Sequence, residues 1–327
     1  MAIPPPALGA RLKMTQTTLT ESPGTLDVGA IVNELRNARV EWRLARGRSL
    51  EPRGRDLPSR EVLRELTTEL HGLLFPMRLG PPDLRQEAED FYVGSTLDKV
   101  VHTLASQIRL ELHHSARHAH LSPREIDDRA DHIVRQFAWS LPGTRRLLDT
   151  DVLAAYHGDP AAHSVDEVLL CYPGVHAIIN HRLAHTLHGL GATMLARLIA
   201  ELSHGATGID IHPGASIGGS FFIDHGTAVV IGETAIIGER VRIYQGVTLG
   251  AKSFPLDATG QLRKGLPRHP HLEDDVVVYA GATVLGRITI GRGATIGGNV
   301  WVTHDVPAGT HLTQANSRHA EAELTAS

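Results

Sequence analysis

Branched aliphatic residues recur at every sixth position through the C-terminal part of this chain. Ile211, Ile217 and Ile223 form one set. Ile231, Ile237, Ile243 and Leu249 form a second, offset by two residues, and Leu272, Val278, Val284, Ile290, Ile296 and Val302 form a third. A period of six suits neither an amphipathic helix nor an ordinary strand. It suits a parallel β-helix built from hexapeptide turns, each aliphatic side chain pointing into a prism. Glycine follows the aliphatic at 217, 231, 237, 249, 290 and 296, where a small residue lets the chain turn a corner. Three hexads complete one coil, so the sets supply roughly four to five coils.

The period breaks between Leu249 and Leu272. AKSFPLDATGQLRKGLPRHPH, residues 251–271, carries proline, glycine and charge and predicts a loop thrown out of the prism. Before Gly205 the rhythm is helical. ESPGTLDVGAIVNELRNARVEWRLARG spaces apolar residues by three and four between charges. Ser122, Pro123 and Glu125 form a capping box with the favoured proline, and Ser164 with Glu167 repeats the box. Pro52, Pro58, Pro81, Pro82, Pro142 and Pro173 are expected to punctuate the helices. The predicted fold class is α+β, an all-α helical domain over 27–204 followed by a left-handed parallel β-helix over 205–310. A disordered leader is expected over 1–26 and a flexible polar tail over 311–327. Met14 is a possible alternative start.

The 327 residues suffice for two domains, and the net charge of −4, with signs mixed, argues against a nucleic-acid partner. The single cysteine, Cys171, excludes an intrachain disulfide, and its apolar LLCY context predicts a packing role. No apolar run has the length of a membrane span, and the N-terminus lacks a secretory pattern, so a cytoplasmic protein is expected.

Candidate chemistry gathers where helix gives way to prism. GIDIHPGASIGGSFFIDHGT holds Asp210, His212, Asp224 and His225, roughly one coil of residues. The 251–271 loop adds Arg268, His269 and His271. A histidine oriented by a carboxylate is the usual means of making a hydroxyl nucleophilic near neutral pH. The bland alternative for each of the 21 histidines is a hydrogen-bonded structural role. His113, His114, His118 and His120 suit a solvated helix face, and His176, His181, His185 and His188 a helix-packing seam. His225 differs because it stands beside an acid in an aliphatic coil, where an idle histidine is costly. A zinc site from His225, His269 and His271 is a competing arrangement, but no cleanly spaced pair lies on one coil, and no metal is expected. The glycines of GGS and GRGATIGG read as corner residues rather than phosphate loops, because no strand–loop–helix context surrounds them.

The run GIDIHPGASIG, FFIDHGTAVVIGETAIIGERVRIYQGVTLGA and RHPHLEDDVVVYAGATVLGRITIGRGATIGG resembles bacterial serine O-acetyltransferases, hexapeptide-repeat acyltransferases. The likeness runs from about 159 to 310, and is closest to a branch with FFIDHGT and a longer GAKSFP loop. It implies acetyl transfer from acetyl-CoA to L-serine, with His225 as general base and Asp210 orienting it. It further implies that Asp159, Asp224, Arg268 and His269 hold serine. Ala251, Ala280 and Gly298 would line an acetyl-CoA groove between neighbouring subunits of a trimer or a dimer of trimers. Asp159 and Arg268 together match the ammonium and carboxylate of an amino acid. The tail ends in Ser327 and lacks the terminal isoleucine through which many members dock into O-acetylserine sulfhydrylase, so that complex is not expected. Transfer to another hydroxyl or amine, such as homoserine or a sugar, stays open, as does a non-catalytic scaffold that keeps the fold.

Overall fold

The computed structural model describes residues 26–45, 57–115 and 120–315. The expected leader up to residue 25, Pro52, His118 and the tail beyond 315 lie outside the described residues. The chain divides into two units, Met1–Arg55 and Asp56–Ser327. In the first, one helix is described, α1 (Val28–Ala45), with no buried residue.

The second unit opens with helices α2 (Arg60–Leu74), α3 (Pro76–Leu79), α4 (Glu89–His114), α5 (Pro123–Gly158), α6 (Val165–Cys171), α7 (Pro173–Gly189) and α8 (Thr193–Thr207). The capping box at Ser122 is present in both directions, with Glu125 N–H donating to the serine hydroxyl and the Glu125 carboxylate accepting from Ser122 N–H. At Ser164 only half of it forms, because Glu167 reaches back to His163 N–H instead. Pro142 does not end its helix, contrary to expectation, and α5 runs through it for 36 residues. Phe137, Leu141, Leu148 and Val152 are buried on both sides of it, so core packing outweighs the lost backbone bond. Helix α8 also continues past Gly205 and stops at Gly208, whose φ of 71° only a glycine adopts without strain.

Among the described residues, fourteen short strands then wind a parallel β-helix. They are β1 (Asp210–Ile211), β2 (Ser216–Ile217), β3 (Phe222–Asp224), β4 (Val230–Ile231), β5 (Ile236–Ile237), β6 (Arg242–Tyr244), β7 (Thr248–Gly250), β8 (His271–Leu272), β9 (Val277–Val278), β10 (Thr283–Leu285), β11 (Thr289–Ile290), β12 (Thr295–Ile296), β13 (Trp301–Val302) and β14 (His311–Leu312). The first face stacks β1-β4-β7-β10-β13, the second β11-β8-β5-β2, and the third β14-β12-β9-β6-β3. Register follows the hexads: Ile211, Ile231, Leu249, Val284 and Val302 stack in one column inside the prism. All thirteen hexad aliphatics except Ile217 are buried, and Ile217 packs half-buried against the same core. The last strand ends at Leu312, inside the stretch expected to be tail.

The two-residue offset between Ile223 and Ile231 is taken up at one corner, residues 225–229, between the third and first faces. That corner holds two non-glycine residues at positive φ, His225 at 58° and Ala228 at 62°. The 251–271 segment is not a structureless loop. Leu256 and Leu262 form an antiparallel bridge, and the Asp257 carboxylate accepts from Thr259 N–H, Thr259 Oγ1 and Gln261 N–H across the tip.

Helices and prism are joined by a buried ion pair. Asp151 of α5 takes two bonds from Arg182 of α7, at 2.6 and 2.8 Å, and one from Phe221 N–H at 2.9 Å. Arg182 also donates to the carbonyls of Ile217 and Gly218. At Gly174 the start of α7 lies so close to β3 that an added Cβ would sit 2.2 Å from the Ile223 carbonyl oxygen.

Candidate active site

His225 is the residue that follows β3, and its left-handed backbone turns the imidazole out of the prism. Its side chain is 70 % exposed, whereas that of Asp224 is 13 % exposed. The aliphatic coil in which the sequence sets both residues implies burial of each. That holds for Asp224 alone, because the enlarged corner releases its neighbour to the surface. The imidazole Nδ1 lies 3.7 Å from Asp224 Oδ1, an ion-pair separation rather than a hydrogen bond.

A second carboxylate approaches from the helices. Asp159 caps the C-terminus of α5, and its side chain is fixed by two donors, Tyr172 Oη at 2.5 Å and Ala161 N–H at 2.8 Å. These bonds, the tyrosine's first, hold the Asp159 carboxyl below the usual range, with smaller contributions from the charges of Arg242 and His225. The same bond pushes the Tyr172 phenol up to about 12, so it stays a donor at neutral pH.

Between the two aspartates stands Arg242, on β6 one coil further along. It donates to the Gly158 carbonyl, lies 3.4 Å from Asp224 Oδ2, and stacks against the rings of Phe222 and Tyr244. Its Nε is buried and has no hydrogen-bond partner. Sequence reasoning missed Arg242 and Tyr172. Arg242 could have been found by noting that β3 and β6 share a register, so Arg242 pairs with Phe222, two residues before Asp224 and out of step with the hexad aliphatic Ile223.

Asp210 lies on β1, where its N–H bonds to Val229 O at the end of the His225 corner. No hydrogen bond joins its carboxylate to the imidazole within the chain. The remaining expected residues sit at the next corner, between the first and second faces. His269 stacks over Gly232 so closely that an added Cβ would meet its ring at 2.1 Å. Its Nδ1 accepts Thr234 N–H at 3.0 Å, which fixes the neutral tautomer with the proton on Nε2. Burial, with help from the Arg268 charge, pulls its pKa down to about 4. His269 is therefore a neutral Nε2–H donor. Arg268 donates to Glu233 Oε2 at 2.6 Å. The adjacent His212, also lowered to about 4 by burial first, accepts Gly214 N–H on Nδ1 and meets His188 edge-on at 5.9 Å. The helix-face histidines of α7 do form a seam: His181 is buried and rings 181 and 185 lie 5.7 Å apart.

Two clusters therefore exist. Asp159, Asp224 and His225 converge at one corner, and Arg268 with His269 occupy another, with the first face between them. The small residues divide in the same way. Gly298 lies against the Ala280 carbonyl in the column of the His225 corner, while Ala251 leaves β7 at the other corner. Because of this division, His225, His269 and His271 do not converge as three metal ligands, and among the described residues no three His, Cys, Asp or Glu do. Cys171 is exposed at the end of α6, which corrects the expected packing role. A cavity of about 580 Å³ lies among helices, lined by Phe75, Arg145 and Leu169 among others, and touches none of these residues.

The chain is 58% identical over 265 residues to the plasmid serine acetyltransferase of Synechococcus elongatus, an alignment covering 80% of this chain and 83% of that one. The chain belongs to the serine acetyltransferase family. The bacterial transferase hexapeptide (six repeats) family matches residues 269–304. The serine acetyltransferase of Mycobacterium tuberculosis is 52% identical over 157 residues, 48% of this chain and 65% of that protein. Among solved structures, serine acetyltransferase 1 of Entamoeba histolytica in complex with L-cysteine superposes with a TM-score of 0.65 at 38% identity, covering 78% of this chain and 87% of that one. The family is one of acyltransferases. No described helix is long and apolar enough to cross a membrane.

Proposed function

We propose that the protein transfers the acetyl group of acetyl-CoA to the hydroxyl of L-serine, giving O-acetyl-L-serine and CoA, the first step of cysteine biosynthesis. The observation that carries this reading is the convergence of two carboxylates, Asp159 and Asp224, on the exposed imidazole of His225. Two anions beside a base suit an acceptor whose ammonium lies close to its hydroxyl. Serine's hydroxyl needs a base at the moment of attack. His225 Nε2 takes that proton as the oxygen attacks the thioester carbonyl. The C–S bond then breaks, and the imidazolium returns the proton to the departing thiolate. Asp210 is assigned to favour the imidazolium, and Asp224, the nearer carboxylate, to share the serine ammonium with Asp159. Arg268 and neutral His269 suit the serine carboxylate, one as a charge and the other as a donor.

One serine cannot bridge both corners of one prism. The strand between them rises about 3.3 Å per residue, so the crossing of the first face is on the order of 10 Å. The reading therefore requires a neighbouring copy, whose second corner faces the first corner of this chain. A ring of three such copies completes three equivalent sites, and two such rings would make a hexamer. Acetyl-CoA would lie in the same groove, against Ala280 and Gly298 on one wall and Ala251 on the other. The cytoplasm is the proposed compartment, in keeping with a chain whose lone cysteine cannot form an internal disulfide.

The test is release of free thiol from acetyl-CoA with serine, homoserine, an amino sugar or no acceptor. Serine-dependent release well above the other three is expected. Equal release without acceptor, or a clear preference for another acceptor, overturns the reading.

A further inference from the structure

Helix α1 buries none of its residues. Yet it is not a polar helix. Val28, Ile31, Leu35, Ala38, Trp42 and Ala45 recur in alternating steps of three and four, the a and d positions of a heptad. Val28, Ile31, Leu35 and Trp42 on that seam are all exposed. Small Ala38 beside large Trp42 leaves a concavity lined by Leu35, Ala38, Arg39, Trp42 and Arg43. Val40 and Leu44 fall outside the seam.

The charges beside the seam select its partner. Glu34 and Glu41 occupy the g positions, and Arg39 an e position. In a parallel, in-register pair each g faces the e position five residues further along the other helix. Glu34 then meets Arg39 of the second copy, and Glu41 has Arg46 at the same spacing in the sequence. An antiparallel pair would set g against g, glutamate against glutamate. Within its own helix Glu34 has no basic residue four positions on, and no ion pair joins it to Arg39. We infer that α1 forms a parallel, in-register coiled coil with α1 of neighbouring copies of this chain. Its 18 residues hold only about two and a half heptads, short of the three to four that mark a free-standing coiled coil. The inference thus rests on the reading that copies are already held side by side, which supplies the local concentration.

Disulfide cross-linking of the full-length chain in a Cys171→Ser background tests this. Val28→Cys puts a thiol on the seam near the helix start, where only a parallel register brings equivalent residues together. Asn33→Cys, on the opposite side of the helix, is the control. Val28→Cys is expected to form cross-linked chains at least about tenfold faster than the control. Adding Glu34→Arg should slow it by about threefold, and adding Arg39→Glu as well should restore it. Equal rates for Val28→Cys and Asn33→Cys overturn the inference, and so does a charge reversal without effect. Mass by light scattering of the unmodified protein is read separately. An oligomer that fails to cross-link through Val28→Cys refutes the coiled coil and leaves the shared site standing, while a monomer refutes both.

Discussion

If the site is shared between copies, two inactive variants should repair each other. His225→Ala removes the base, at a cost of ~10²–10⁴-fold in turnover. Arg268→Ala leaves the base intact and removes a charge-assisted contact worth about 1.5–3 kcal/mol, roughly 10- to 100-fold at low serine. Asp224 and His225 lie at one corner of the prism, Arg268 and His269 at the next, and a working site takes the first from one copy and the second from its neighbour. In a random equal mixture, a site has an intact first corner in about half of cases and an intact facing corner in about half. About a quarter of all sites are then whole. The assay is thiol release at low serine from each purified variant, and from the two unfolded together and refolded as a mixture. Recovery to about a quarter of wild-type activity is expected. Were both corners to serve a serine within one chain, every site in the mixture would carry a lesion. Activity equal to the mean of the two variants would therefore refute the shared site.

Other consequences follow from single contacts. Tyr172→Phe removes the 2.5 Å bond that steadies Asp159; since that carboxylate is partly exposed, the loss is discounted to about 1 kcal/mol, a roughly fivefold rise in KM for serine with kcat little changed. Steady-state kinetics with varied serine check it, and an unchanged KM removes Asp159 from the serine site. Asp151→Asn strands the buried Arg182 guanidinium without its counter-charge and should cost about 3–5 kcal/mol in urea unfolding at fixed protein concentration, whereas a loss under about 1 kcal/mol would show that the pair does not join helices to prism. His71 of α2, bonded to Asn180 of α7, and His212 and His269 are each held near pKa 4 by burial against an ordinary 6.5, so they are neutral when folded and take up protons on unfolding once the pH falls below about 6.5. Stability from this source is complete above pH 6.5 and falls as pH drops towards 4; a urea midpoint that stays flat between pH 7.5 and pH 5 contradicts it.

The prism was legible because its signal is repetitive and steric. Each hexad aliphatic fills the same kind of site, and the two-residue phase shift before Ile231 coincides in the structure with the corner that carries His225. The acid beside the base was also legible, since Asp224 and His225 are adjacent. What sequence could not give was the direction in which each side chain leaves the backbone. Positive φ at His225 sends the imidazole outward, and nothing in FFIDHGT alone distinguishes that from burial. Arg242 was hidden because its partners come from α5 and from β3 one coil away. Pro142 misled because local propensity loses to the buried Phe137, Leu141 and Leu148 around it. The hairpin tip of the long loop depends on Asp257 accepting three bonds at once, which its spacing to Thr259 and Gln261 permits but does not announce.

His225 is proposed as the base that activates the serine hydroxyl. The most direct measurement of this role is single-turnover transfer from radiolabelled acetyl-CoA to serine, by wild type and by His225→Ala, with acetyl-CoA binding measured in parallel. The variant is expected to bind acetyl-CoA as the wild type does, while label appears in O-acetylserine ~10²–10⁴-fold more slowly. Transfer by His225→Ala within a few-fold of the wild-type rate would contradict it.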